Sequence, residues 1–535
     1  MEYSVGPTAL AEWGAFAMAL SKRTFWALAL LMPTAALAQS PAADIAQQGV
    51  GNTVPPCSSC HGRDGQGNAA AGFPRLAGLG SVYLQDQLDA YADGRRENAI
   101  MQPIASALSA AQRRAMADYY SALAFKPSET NAPQQPISAA AVELAEHGRW
   151  DDAIPACVQC HGPGGVGIGD RFPALAGQSA SYIANQLRAW RAQKRPAGPM
   201  DLMATIANRL DEADIVPVAE YFAAQPSTTA PATNKADDKA NDSSTGPAKP
   251  AGTPNASGVQ ASTFVPPARD TIPDNEFGAM VRKGRAIFTD TQQHAARFVG
   301  NDLQCANCHL DEGRLADSSP LWAAWAMYPA YRGKNKHVND FPERIQGCFR
   351  YSMNGTPPPR GDEVLLALET YAYWLASGAP VGKALSGRGY PELDAPGQSP
   401  SFERGAQVYT EHCALCHGDD GQGQRAADGR IAFPPLWGPR SYNWGAGMHR
   451  VNTAAAFIKA NMPLGATTLS EQQAWDVAQF IDSHERPQDP RFTGSVADTA
   501  KQYHGKYSMY GQTVDGEVLG ENAPPSGTAP AAKTR

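Results

Sequence analysis

Nine cysteines lie in the 535-residue chain: eight fall in four copies of C-x-x-C-H, and one stands alone. The copies are Cys57-Ser-Ser-Cys60-His61, Cys157-Val-Gln-Cys160-His161, Cys305-Ala-Asn-Cys308-His309 and Cys413-Ala-Leu-Cys416-His417. Two thiols at this spacing can bond the two vinyl groups of one porphyrin, and the adjacent histidine then reaches the iron from one side. A single copy could be a redox dithiol or half of a zinc site. Four copies predict four covalently bound haem c groups, with His61, His161, His309 and His417 as iron ligands. The ninth cysteine, Cys348, sits in QGCFRYSMNG, residues 346–355.

Each iron needs a second axial ligand or stays open, and methionine or histidine is the usual choice. An internal repeat selects two. FPRLAG (73–78) matches FPALAG (172–177), and GLGSVYLQDQLDAY (78–91) matches GQSASYIANQLRAW (177–190). Carried forward, the alignment pairs MQPIASALS (101–109) with MATIANRLD (203–211), so Met101 and Met203 are the expected ligands, 40 and 42 residues after their histidines. Met200 rivals Met203. For the fourth haem Met462, 45 residues after His417, leads over Met448 and His449.

The third motif breaks this pattern. It lacks the glycine that follows the other three histidines, and it lacks the Phe-Pro-x-Leu loop. Where a methionine is due, 39 residues after His309, the chain has Cys348. A thiolate on iron stabilises the ferric state and lowers the potential, which a plain relay does not need. A sulfur nucleophile held at iron points instead to sulfur chemistry. A buried structural thiol, an intermolecular disulfide and Met353 as ligand are the competing readings. Arg332, Lys334, Arg344 and Arg350 bracket Cys348, and such cations suit anionic substrates as well as a solvated face.

These groups need elements to position them. Ser109 with Gln112 and Ser470 with Gln473 form capping boxes before amphipathic stretches, and Asp211 can cap a third. The recurring order of helix, haem motif, proline loop, methionine and closing helix resembles the class I cytochrome c plan. The expected fold is all-α, with four such haem domains in two tandem pairs joined by a flexible linker. The boundaries read as a signal peptide at 1–38, cytochrome c domains at 39–130 and 131–226, a linker at 227–262, a catalytic haem domain at 263–395, a second haem domain of that half at 396–490, and a C-terminal extension at 491–535. The linker is built of Ala, Pro, Thr, Ser, Asn and Asp and cannot bury enough surface to fold. At the start, Lys22 and Arg23, the apolar run FWALALLM and Ala36-Leu37-Ala38 form an export signal, too short to span a membrane stably. An uncleaved anchor is the competing reading, and Met18 is an alternative start. Export implies the periplasm. No later stretch predicts membrane insertion, and a net charge of −7 gives no reason to expect nucleic acid.

Residues 41–226 resemble cytochrome c4, a two-haem electron carrier, through the repeat, the two Phe-Pro-x-Leu-Ala-Gly loops and the methionine placement. Residues 274–490 resemble thiosulfate dehydrogenase of the TsdA type. The matching stretches are FVGNDLQCANCHLDEGR (298–314), YPAYRGKN (328–335), RIQGCFRYSMNG (344–355) and FIKANMPLG (457–465), and RPQDPRFTGSVADTAKQYH (486–504) extends the match. A carrier ahead of the enzyme resembles TsdB–TsdA fusions. The resemblance implies that two thiosulfates are joined to tetrathionate with release of two electrons. It also implies His/Cys ligation of the catalytic haem, with an arginine and a serine four residues either side of the cysteine, here Arg344 and Ser352. A lysine that exchanges with the methionine ligand in some members is not carried over, because Asn461 precedes Met462.

Thiosulfate is a dianion, and two must meet. Four unit-charge products at about 4 Å cost roughly 4 kcal/mol even in water, so cationic clamps are required. Arg344 and Arg332 are assigned to sulfonate oxygens, with Ser352 as a donor and Arg350 and Lys334 as weaker candidates. Cys348 is expected to leave the iron, take a sulfane sulfur as a Cys–S-sulfonate adduct, and yield to a second thiosulfate by exchange chemistry. Electrons would pass from the third haem to the fourth, to the tandem pair, and to a downstream cytochrome or terminal oxidase. The tether would let the pair dock, collect and leave. The rival readings are a non-catalytic four-haem conduit, a SoxA-like protein acting on a sulfur carrier protein, and the same site running as a tetrathionate reductase.

Overall fold

The computed structural model describes residues 41–125, 136–226 and 264–527, apart from 197, 427 and 428. The export signal and the linker at 227–262 lie outside the described residues. Four helical cores follow one another along the chain, with one C-x-x-C-H motif to each. In the first, the helix Pro41–Gln48 contacts the closing helix Ala110–Ala122; in the second, Ala139–His147 contacts Glu212–Ala224. The third pairs Glu276–Thr289 with Glu363–Leu375, and the fourth pairs Phe402–His412 with Glu471–Asp482.

Residue size sets how closely these helices cross. A Cβ on Gly284 would lie 2.1 Å from the Ala367 carbonyl, and one on Gly405 the same 2.1 Å from the Asp476 carbonyl. Backbones touch there, so any side chain would push the helices apart. The capping residues take the roles their types predict. Ser109 with Gln112, Asp211 with Asp214 and Ser470 with Gln473 form reciprocal boxes that satisfy orphan N–H groups at the first turn. The closing helix of the third core starts more simply, with Asp362 accepting from Val364 N–H.

The expectation of purely helical structure needs one amendment. Among the described residues three short antiparallel hairpins are present, pairing Ala330–Arg332 with His337–Asn339, Gln424–Arg425 with Ile431–Phe433, and Thr513–Val514 with Glu517–Val518. The C-terminal segment is folded as well. Tyr510 and Leu519 bury Trp444, and Arg486 lies fully buried over the rings of Tyr442 and Trp444.

The N-terminal half, 41–226, packs directly on the C-terminal half. Phe172 and Ile168 of the second core pack with Phe433 of the fourth, and Arg269 of the third region pairs with Glu143, 2.6 Å away. His147 lies 3.2 Å from Glu312. Among the described residues no helix is long and apolar enough to cross a membrane.

Candidate active site

Each motif histidine is held by one ring nitrogen. His61 Nδ1 meets the Pro74 carbonyl at 2.9 Å, His161 Nδ1 the Pro173 carbonyl at 2.8 Å, and His417 Nδ1 the Pro434 carbonyl at 2.9 Å. The Phe-Pro loops therefore serve to orient the ligand and leave Nε2 free for a metal. The third motif, without that loop, uses the Ser319 carbonyl at 2.7 Å. Where the other motifs turn on a glycine with φ near +79°, Asp311 and Glu312 take the left-handed conformation instead. Arg269 holds both carboxylates and Arg285 holds Glu312. Burial would raise the Glu312 carboxyl, but the His147 and Arg285 hydrogen bonds keep it well below the usual range.

The residues present fit covalent haem. A cavity of about 420 Å³ brings together Cys57, Cys60, His61 and Met101. A second, of about 680 Å³, brings together Cys157, Cys160, His161 and Met203, and Met200 is not among its lining residues. The nine cysteines are all unpaired. Between the two cavities Arg96 and Arg195 lie buried, only 4% and 6% exposed. Their hydrogen-bond partners among the described residues are neutral: Tyr83, Tyr182, Gln87 and Gln186. Two buried cations without carboxylates of their own suit a group that brings carboxylates with it, as haem does. The sequence reading missed this pair, although the repeated Tyr and Gln positions were its signal.

The lone cysteine lies on an unusual turn. Asp340 caps the helix Phe341–Gly347 by accepting from Glu343 N–H, and the chain then makes one π-helical turn, Cys348–Ser352. Such a turn carries an extra residue and is frequent at functional sites. It is clamped from both sides. Phe349 is buried in the third core, while Asn301 donates to the Ser352 carbonyl at 2.7 Å and Asn443 to the Arg350 carbonyl at 2.9 Å. Asn354 is fully buried with φ +46°, a conformation that Asn tolerates.

Arg344, one helical turn before Cys348, donates from Nη1 to Cys348 Sγ at 2.8 Å. Cys348 in turn raises the pKa of Arg344 further above its ordinary value. Burial pushes His309 down to about 4, and the Arg344 charge adds to that effect. Burial also lifts the Cys305 and Cys308 thiols to about 12, with Cys348 contributing. These couplings set Cys348 and Arg344 beside Cys305, Cys308 and His309 of the third motif.

The other predicted groups divide. Arg332 ends an exposed hairpin strand, and its charge reaches the Tyr328 hydroxyl together with those of Arg344 and Cys348. Lys334 Nζ lies 3.6 Å over the Tyr351 ring and donates to the Gly445 carbonyl. Ser352 ends the π turn. Arg350 is exposed on that turn. Met353 is buried in the third core. Tyr328 and Tyr390 were missed by the sequence reading; Tyr390 donates to the Cys308 carbonyl at 3.3 Å.

At the fourth site Met462 packs against the core that holds Cys413, and Met448 sits between the third and fourth cores. The third option, His449, is overturned. Its Nδ1 meets the Ala446 carbonyl and its Nε2 lies 3.0 Å from His504 Nδ1, so no ring nitrogen is left for iron. Asn461 is tied to the Phe457 carbonyl at 3.0 Å.

Comparison with known proteins identifies the family. The cytochrome c family matches residues 53–124, and the family described as cytochrome c oxidase, cbb3-type, subunit III matches residues 400–481. Thiosulfate dehydrogenase of Stutzerimonas stutzeri (strain A1501) is 56% identical over 268 residues, which is 49% of this chain and 87% of that protein. The chain belongs to the thiosulfate dehydrogenase family. The thiosulfate dehydrogenase electron acceptor of Thiomonas intermedia (strain K12) is 54% identical over 173 residues, 32% of this chain and 78% of that protein. The solved thiosulfate dehydrogenase TsdBA of Marichromatium purpuratum, in its as-isolated form, superposes with a TM-score of 0.80 at 48% identity and covers 90% of this chain and 99% of its own. Family membership and the cytochrome c domains make covalently bound haem c the cofactor.

Proposed function

We propose that the chain is a thiosulfate dehydrogenase that joins two thiosulfates to tetrathionate at Cys348 and passes the electrons through four haem c groups to an outside acceptor. The observation that carries this reading is the 2.8 Å contact between Arg344 and Cys348 on a π turn beside the third motif. The haem-holding residues are the four cysteine pairs with His61/Met101, His161/Met203, His309/Cys348 and His417/Met462. When bound, haem c supplies one-electron acceptors. The chain is organised as a carrier pair, 39–130 and 131–226, a linker at 227–262, an enzyme pair, 263–395 and 396–490, and an extension from 491. The export signal at 1–38 directs it to the periplasm.

The residues then act as follows. Arg344 compensates the negative charge at Cys348 Sγ and, with Arg332 and Ser352, holds sulfonate oxygens. Cys348 Sγ bonds the sulfane sulfur of one thiosulfate with release of two electrons, giving Cys348–Sγ–S–SO3−. The sulfane sulfur of a second thiosulfate attacks the outer sulfur of that disulfide, Cys348 departs as thiolate, and tetrathionate is released. Cys416 and Cys160 adjoin, so haem groups held by the fourth and second motifs would lie next to each other and could supply the way out for the electrons. Mass spectrometry of protein quenched during turnover tests the route: the Cys348 peptide should gain S2O3. An unmodified Cys348 with tetrathionate still forming would rule the adduct out.

A further inference from the structure

Three of the four motif histidines are followed by a loop closed by the same backbone pairing: Asn68 with Phe73, Ile168 with Phe172, and Gln424 with Phe433. The second and fourth of these loops close on each other. The Phe172 and Phe433 rings are 5.2 Å apart, Ile168 pairs with Ala426, and Cys160, Leu415 and Cys416 complete the patch. Ile168 is left 1% exposed. Among the described residues the first loop has no such cover. Residues Asn68 to Gly72 are all exposed, as are Pro55 and Ser59 beside Cys57 and Cys60. No charged residue lies between 68 and 73, and the adjacent Arg63 and Asp64 are opposite in sign.

We propose that this first-loop face is where electrons leave the chain, to a soluble c-type cytochrome presenting an uncharged rim of the same kind around its own haem edge. The inference rests on the four-haem reading above. The chain already makes such a junction once, and the mated surface there is apolar and uncharged at its centre. The third motif lacks the loop, and the second and fourth loops occupy each other. The first is therefore the open copy among the described residues. An uncharged encounter face of this kind gives a weak, transient complex whose rate depends little on salt.

The test uses the full-length holoprotein, anaerobic, with thiosulfate as reductant and a soluble monohaem cytochrome c as probe, in stopped flow. Ala70→Glu and Ala70→Lys should each lower the second-order rate of probe reduction by about tenfold. Reduction of the chain's own haems by thiosulfate should be unchanged, and Leu366→Glu, on an exposed site elsewhere, should have no effect. Opposite effects of Glu and Lys would show charge steering and overturn the proposal, as would a rate unchanged in both variants. So would a wild-type dimer that the substitutions dissolve while the probe rate stays constant. If thiosulfate fails to reduce the chain's own haems, the enzyme reading has failed, and dithionite-reduced protein still tests the exit face.

Discussion

The third helical core and the fourth share a frame and differ in one turn. Both set a C-x-x-C-H motif beneath a first and a closing helix whose backbones meet at a glycine, Gly284 or Gly405. In the fourth, a Phe-Pro carbonyl orients His417, and the helix Val451–Asn461 delivers Met462 into an apolar core. In the third, Ser319 orients His309, and a π turn delivers Cys348 with Arg344 bonded to its sulfur. An electron relay needs only a buried, neutral ligand. A nucleophile for an anion needs a sulfur and a cation together, and on the proposed reading the third core gains both by replacing the ligand loop while the helical frame stays intact.

The comparison breaks most sharply if the third site is converted toward the other three. Cys348→Met should lower tetrathionate formation by roughly 10³-fold or more. Haem content by pyridine haemochrome should stay at the wild-type level, because the motif cysteines are untouched. Arg344→Gln leaves the sulfur but removes its cation, and kcat/KM for thiosulfate should fall by about 10²-fold, with Arg344→Lys recovering part of the loss.

The helical frame was legible in the sequence because it is local. The boxes at Ser109, Asp211 and Ser470 and the four motifs need only spacing. Cys348 stands out in the sequence because it occupies a position where a repeat leads one to expect methionine. What was hidden depends on distant chain. The neutral partners of Arg96 and Arg195, the Tyr328 hydroxyl beside Arg344 and the closure of Ile168 on Phe433 are made by residues far apart in sequence. His449 read as a possible ligand from its type, and only the fold shows both nitrogens engaged.

Smaller effects sharpen the contrast. Burial, with help from the Arg491 charge and against that of Asp489, pushes the Lys334 ammonium down to about 7. Lys334 is cationic below that pH and neutral above it, so KM for thiosulfate should rise a few-fold as pH climbs through about 7. The rise should be absent in Lys334→Met, with steady-state kinetics across pH as the check. The smallest effect is confined to the fourth core. Ser470→Ala removes one half of a capping box and should cost about 1 kcal/mol, read as a lower melting temperature, with turnover at Cys348 unchanged below the transition.

The most direct test of the central claim is a single anaerobic experiment on oxidised holoprotein. Thiosulfate is added, the reduced haem α-band is followed, and tetrathionate is assayed in the same sample. The account predicts two haems reduced for each tetrathionate formed in the wild type, and neither reduction nor product in Cys348→Ala. Haem reduction without tetrathionate, or equal reduction in the variant, would contradict it.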